Sequence, residues 1–379
     1  MKLIFDERDS LDALEHALSA LSEAPNIASL MVLGCSANAW PKKSLDSILK
    51  SLRLPVFGGL FPNINFRARC YRQGLIVAGF SRKADLATIT GLSQPEINLH
   101  HCLNEQTHLW PGATDASTLM LFVDGTAPRI DDLVNELFFS FGLDHSFVGG
   151  GAGSLDFTDA MPCIITPDGL INDAAICARL PLASSIGVGH GWEPEGHDLL
   201  VTAARGNMID ALDHEAALPV YERCLQRHDL PPLSPDNFFE HARHHPFGIR
   251  KPGEEIILRC PVRISRKGSL VCLGEVPVGS AVQIMGARNE RLISAAREAR
   301  ATVDDYMLNT RGSCYLVLGS VSRALCLGDS LGDELQGVSQ NDLSFGAFTL
   351  GEIANTGQEF LQFYNNSIAV ARFQERLEP

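Results

Sequence analysis

Ser117–Thr118–Leu119–Met120–Leu121–Phe122–Val123–Asp124–Gly125 is an apolar run closed by an acid and a glycine. Ser29–Leu30–Met31–Val32–Leu33–Gly34 is the same run, about ninety residues earlier, an offset that marks an internal repeat. Short apolar runs that end in glycine read as buried strands. Each is followed by a helical pattern, Ser44–Leu52 in the first copy and Ile130–Phe141 in the second. Pro128 opens the second helix, and Asp131 and Asp132 sit at its positive end. Next come Pro55–Val56–Phe57–Gly58–Gly59 and Ser146–Phe147–Val148–Gly149–Gly150–Gly151, then the turns Gln73–Gly74–Leu75 and Asp168–Gly169–Leu170. The spacing therefore predicts a first domain built from a duplicated β-α-β-β unit.

The copies differ where they end. The first closes on Thr90–Gly91–Leu92, the second on Gly187–Val188–Gly189–His190–Gly191–Trp192–Glu193–Pro194–Glu195–Gly196. Glycines on alternate positions let a backbone turn tightly, and they leave an imidazole and an indole side by side at a strand's exit. Two readings compete for His190 and Trp192: a pair bordering a ligand pocket, or a structural histidine with a core tryptophan.

Outward from the repeat, Asp9–Leu21 carries apolar residues at helical spacing. Pro231, Pro232, Pro235 and Pro246 interrupt the chain and mark a linker. The expected division is residues 1–228, a linker at 229–247, and a second domain at 248–379. In that second domain Ile256–Leu258, Val262–Ile264, Leu270–Leu273, Cys314–Leu318 and Phe345–Phe348 read as strands, with helices over Glu290–Ala301 and Leu331–Val338. A third version of the β-α-β-β order is only faintly visible here. The fold class is α/β, with mixed sheets and two domains, as expected of 379 residues.

Composition narrows function. A net charge of −14, from 45 acids against 31 Lys and Arg, repels phosphate backbones and argues against nucleic acid. The start, Met1–Asp9, turns polar too early for a signal peptide, and the apolar stretches are too short to insert in a bilayer. Ten cysteines without Cys-x-x-Cys spacing read as reduced thiols of a cytoplasmic protein.

Other constellations carry less. Gly149–Gly150–Gly151–Ala152–Gly153–Ser154 breaks the dinucleotide pattern at Ser154, which leaves an anion nest at Gly149 and Gly150 or a tight turn. Glu240, His241, His244 and His245 have metal-ligand spacing on a helix, but their place in the linker favours a solvated cluster. No Gly-x-Ser-x-Gly nucleophile elbow is present, and Asp304–Asp305 reads as an acidic pair at a helix start. Glu352 and Asn365 are polar interruptions in an apolar end region. Arg259 and Arg323, beside strands, either hold a carboxylate ligand or pair with Glu352.

Gly189–Gly196, with Leu200–Val201–Thr202, Gly206–Asn207, Leu212–Asp213 and Ala216–Tyr221, resembles the end of a FIST (F-box and intracellular signal transduction) N-terminal domain. Gly346–Ile353 and Phe363–Ser367 resemble the FIST C-terminal domain. The resemblance implies a bacterial sensory protein for a small-molecule ligand, coupled to a histidine kinase or a cyclic-dinucleotide enzyme. One branch of that family binds haem to sense nitric oxide, which would make His190 the candidate iron ligand; no Cys-x-x-Cys-His motif for covalent haem attachment is present. The chain departs from the family at Tyr364, where a histidine is expected, and at Ser320–Val321–Ser322–Arg323, where Cys-x-Gly-Arg is. An enzyme of unnamed reaction using the same pocket is the remaining alternative.

Overall fold

Three parallel strand pairs form the spine of the protein: Ser29–Cys35 with Val56–Phe61, Ser117–Asp124 with His145–Ala152, and Cys314–Ser320 with Leu343–Thr349. The structure is a computed structural model that describes residues 1–108, 110, 117–157, 161–228, 230–251, 255–306, 314–340, 342–355 and 360–375. In each pair the crossover is helical, through Lys42–Ser51, through Ile130–Phe141, and through Val321–Leu327 followed by Leu331–Ser339. A third strand then returns antiparallel to the first: Leu75–Phe80, Ala174–Leu180 and Ile368–Phe373. The β-α-β-β unit thus occurs three times, and the faint third copy is as complete as the other two. Its pattern is obscured because the crossover breaks at Gly328 into two short helices, so no single amphipathic run spans it.

The units are interlocked. Between its second and third strands each unit sends out a hairpin, and each hairpin pairs with the second strand of a different unit. Asn63–Phe66 joins Leu343–Thr349, Ile164–Thr166 joins Val56–Phe61, and Glu352–Ala354 joins His145–Ala152. Edge strands are exchanged too: Asp85–Thr90 lies beside Ala174–Leu180, Ser184–Gly189 beside Ile368–Phe373, and Lys2–Asp6 beside Leu75–Phe80. The result is three six-stranded mixed sheets, each drawing strands from separate parts of the chain.

One glycine per unit makes the spine possible. Gly58, Gly149 and Gly346 are registered opposite Val32, Leu121 and Val317 on the neighbouring parallel strand. A Cβ at any of the three would overlap the carbonyl oxygen of that partner. The double glycine that announces the repeat in sequence is therefore a packing requirement.

The segment from Glu193 to Gly286 builds the other body, an antiparallel sheet. Its strands include Leu199–Arg205, Met208–Leu212, Phe247–Arg250, Ile256–Arg259 and Ala281–Gly286. Helix Ala217–Leu225 supplies Val220, Tyr221 and Leu225 to its core, with Phe238 and Phe247. The architecture is mixed α/β with two domains. Among the described residues, no helix is long and apolar enough to cross a membrane.

Two local expectations change. Asp304 stands near the end of helix Asn289–Tyr306, not at a helix start. It pairs with Arg300 at 2.8 Å and accepts the Tyr315 hydroxyl at 2.6 Å. The predicted histidine face also dissolves, because helix Phe238–Ala242 stops before His244 and His245, just ahead of Pro246.

Candidate functional site

The site begins with how closely a helix can approach a strand. Strand Ser184–Gly189 lies at the edge of a sheet, and helix Asn289–Tyr306 runs antiparallel across its face. A Cβ at Gly187 would overlap the carbonyl oxygen of Ala299. One at Gly189 would stand 2.5 Å from that of Ala295, and one at Gly191 2.5 Å from that of Arg291. The two repeats match: four helical residues advance about 6.0 Å, and two strand residues about 6.6 Å. The alternating glycines are thus a seat for a helix. Of the three, only Gly191, at φ +75°, also uses a backbone conformation that side-chain-bearing residues adopt rarely, and it turns the chain out of the strand.

That turn separates His190 from Trp192. The Trp192 ring is sealed among Leu258, Met285, Leu292 and Leu327, and its indole N–H donates to the Asn366 carbonyl at 2.9 Å. His190 stays half-buried. Its Nδ1 accepts the Trp192 backbone N–H at 3.0 Å, which assigns the ring proton to Nε2 in the neutral form. Burial, and then the nearby Arg323 guanidinium, push the His190 pKa down to about 4, so the ring is uncharged at neutral pH. Of the pair that sequence places together, one ring is core and one is available.

Arg323 fixes this arrangement. It is fully buried, pairs with Glu334 at 2.6 Å, and donates to the carbonyls of His190 and Leu292. One guanidinium thereby ties the glycine turn to the helix and to helix Leu331–Ser339. Each of its three nitrogens thus bonds a protein acceptor, and its carboxylate partner is Glu334, where Glu352 was the one considered.

Beside His190, strand and helix leave an open groove of about 430 Å³. Val188, Gly189 and Ala295 form its floor, while Ser294, Glu298 and Thr302 line the helix side. Glu193 and Arg291 stand at one end, 3.3 Å apart as an ion pair. Arg288 bonds Glu193 at 2.8 Å, and together these cations hold its carboxyl below the usual carboxylate range. The groove can offer the Nε2–H of His190, hydroxyls and a carboxylate to a polar ligand. Sequence reading missed Ser294, Glu298 and Thr302, although their spacing marks one helix face.

Haem does not fit at this histidine. An imidazole bound to iron through Nε2 carries its proton on Nδ1 and donates it. Here Nδ1 is an acceptor, held by the Trp192 backbone N–H. Ligation would break that bond and strand a backbone donor.

The other expected residues lie away from the groove. Arg259 is buried, and its guanidinium meets Asp131 at 2.7 Å and the carbonyls of Glu275 and Phe363 at 2.8 and 2.9 Å. Glu352 is fully buried and accepts the Thr349 hydroxyl at 2.6 Å, the Ser367 N–H at 3.2 Å and the Ser367 hydroxyl. Burial pushes its pKa up to about 8, against the pull of those hydrogen bonds, so it is protonated at neutral pH. Asn365 accepts the Cys260 N–H at 3.0 Å and donates to the Tyr364 carbonyl at 2.7 Å. Gly149 seats against Leu121, and a Cβ at Gly150 would stand 2.8 Å from the Gly351 carbonyl oxygen. These contacts give each of the five a packing role, with Glu352, Asn365 and Gly150 at the hairpin that binds the third unit to the second.

Residues 29–215 match the FIST N domain and residues 217–355 the FIST C domain. No curated protein matches the chain. The groove lies between His190, in the first matched segment, and helix Asn289–Tyr306, in the second. Both parts of a tandem pair are present and abut at the candidate site, and the chain belongs to the FIST family, whose domains serve sensing in signal transduction.

Proposed function

We propose that the protein is a small-ligand sensor of intracellular signal transduction whose ligand docks in the groove between His190 and helix Asn289–Tyr306. The observation that carries the reading is the neutral, half-buried His190, which lines the groove with its Nδ1 already occupied by the Trp192 N–H, so that Nε2–H is the donor it has to offer. That edge donates to a carbonyl, carboxylate or phosphoryl oxygen, so the ligand class is a small polar molecule bearing an acceptor. The response is a population shift. Ligand favours one seating of the helix on the glycine strand, and Arg323 passes that seating to helix Leu331–Ser339. A partner such as a histidine kinase or a cyclic-dinucleotide enzyme then reads the altered surface.

A thermal-shift screen of small carboxylates, phosphates and amides tests this reading, with Ser294→Trp as the variant that fills the groove. Stabilising compounds that lose their effect in Ser294→Trp support it. Compounds that stabilise wild type and variant alike overturn it.

A further inference from the structure

A second cluster of chemistry-bearing side chains lies on the sheet formed by residues 193–286. Among the described residues, Glu195, His228 and His245 are the one group of three whose ligating atoms all fall within 4.8 Å of one another. We propose that these three side chains form a binding site for a divalent transition-metal ion of the zinc class, distinct from the groove at His190.

The three ligand atoms are already gathered within 4.8 Å of one another. The His228 Nε2 lies 3.3 Å from the Glu195 Oε2, and the His245 Nδ1 lies 3.9 Å from the same oxygen. The two imidazole rings lie with centroids 4.2 Å apart and planes tilted by 41°. A tetrahedral zinc ion, with bonds of about 2.0–2.1 Å to nitrogen and oxygen, places neighbouring ligand atoms about 3.3–3.4 Å apart. The first separation has that value already, and the second needs a closure of about half an ångström.

Each ligand is anchored by its own backbone. Glu195 donates its N–H to the Ile284 carbonyl at 2.7 Å. Gly286 leaves room for its carboxylate, since a Cβ there would overlap it. His245 donates its N–H to Ala242 at 2.9 Å and accepts the buried Tyr221 hydroxyl on its carbonyl at 2.7 Å. His228 ends the helical turn Gln226–His228 that continues helix Ala217–Leu225, so three separate stretches deliver one ligand each. Ligands held by packed elements lose little freedom on binding.

Two nitrogens and one carboxylate oxygen favour zinc, cobalt or nickel over calcium and magnesium, which take oxygen sets. Side-chain exposures of 25% for His228, 32% for Glu195 and 11% for His245 leave one flank open to solvent. Three protein ligands with an open fourth position are the arrangement that admits water or a small anion. Sequence reading paired His245 with Glu240, His241 and His244. The true partners come from distant stretches that no local spacing discloses.

The test is metal binding to full-length protein, stripped with EDTA and titrated with Co²⁺ and Zn²⁺. The expected result is one equivalent of tetrahedral cobalt, read from its visible absorption, displaced by zinc at micromolar or tighter affinity. His228→Ala and Glu195→Gln should each weaken zinc binding at least tenfold and remove the zinc-dependent rise in melting temperature. The His241→Ala/His244→Ala double variant should bind as wild type does. Circular dichroism shows whether each variant is folded, and Glu195→Gln keeps the side-chain shape. The proposal is overturned by sub-stoichiometric binding, by affinity unchanged in both single variants, or by binding lost in the double variant.

Discussion

Gly189 faces the carbonyl oxygen of Ala295 across a gap in which a Cβ would stand 2.5 Å from that oxygen. The contact sets how deep the groove is and where His190 emerges from the strand. Gly189→Ala must push helix Asn289–Tyr306 outward, and overpacking of this kind costs about 1–3 kcal/mol. A clear fall in melting temperature is expected. Gly332→Ala is the control: it sits in helix Leu331–Ser339 with nothing within 4 Å, so alanine there should be neutral or stabilising. Equal melting temperatures for the two variants would contradict the seating.

The interlocked units carry their own prediction. Gly58, Gly149 and Gly346 occupy one place in three copies, each against a partner carbonyl. Alanine at any of them should destabilise by a similar amount, about 3 kcal/mol or more, because the obstacle is backbone and cannot rotate away. Chemical denaturation of the three variants checks it. A tolerant Gly149 would reopen its assignment to ligand binding.

Acid should weaken the fold through His190. Its folded pKa of about 4 lies below the ordinary 6.5, so between those values the unfolded chain binds more protons. Stability from this group therefore rises as pH climbs from about 4 to 6.5 and is constant above. His190→Gln should remove that part of the slope in denaturation measured across the interval.

Glu352 has the opposite sign. Its folded pKa of about 8 lies above the ordinary 4.5, so the folded chain holds a proton that the unfolded chain releases. Its contribution is fully present below pH 4.5 and is lost as pH rises through about 8. Glu352→Gln keeps a neutral hydrogen-bonding group in place and should be more stable than wild type at pH 8.5 than at pH 5, relative to each. A wild-type advantage that grows with pH would refute the protonated assignment.

Much of this was legible in the chain. The apolar runs at Ser29 and Ser117, the double glycines and the Gly-Leu turns disclose two units, because strand, helix and turn each leave a local periodic mark. The third unit was faint, since Gly328 divides its helix. The hairpin exchanges were invisible: pairing Asn63–Phe66 with Leu343–Thr349 is a long-range choice that no window of sequence records. At the site, His190 was found through its glycine neighbours. The tight turn holds for Gly191 but not for Gly187 and Gly189, because a glycine that admits a helix looks the same in sequence as one that admits a turn. Arg323 and Arg259, which in sequence read as holding a carboxylate ligand or pairing with Glu352, pair with Glu334 and Asp131, carboxylates that no local spacing connects to them.

The most direct measurement is a proton–nitrogen spectrum of protein labelled with ¹⁵N-histidine, recorded at pH 7 with and without compounds that stabilise it. The account predicts that His190 is neutral with its proton on Nε2, that this resonance moves on binding, and that His190→Ala weakens binding about two- to tenfold, the loss of one neutral hydrogen bond. A charged ring, a proton on Nδ1, or a His190 resonance that stays still while ligand binds would contradict it.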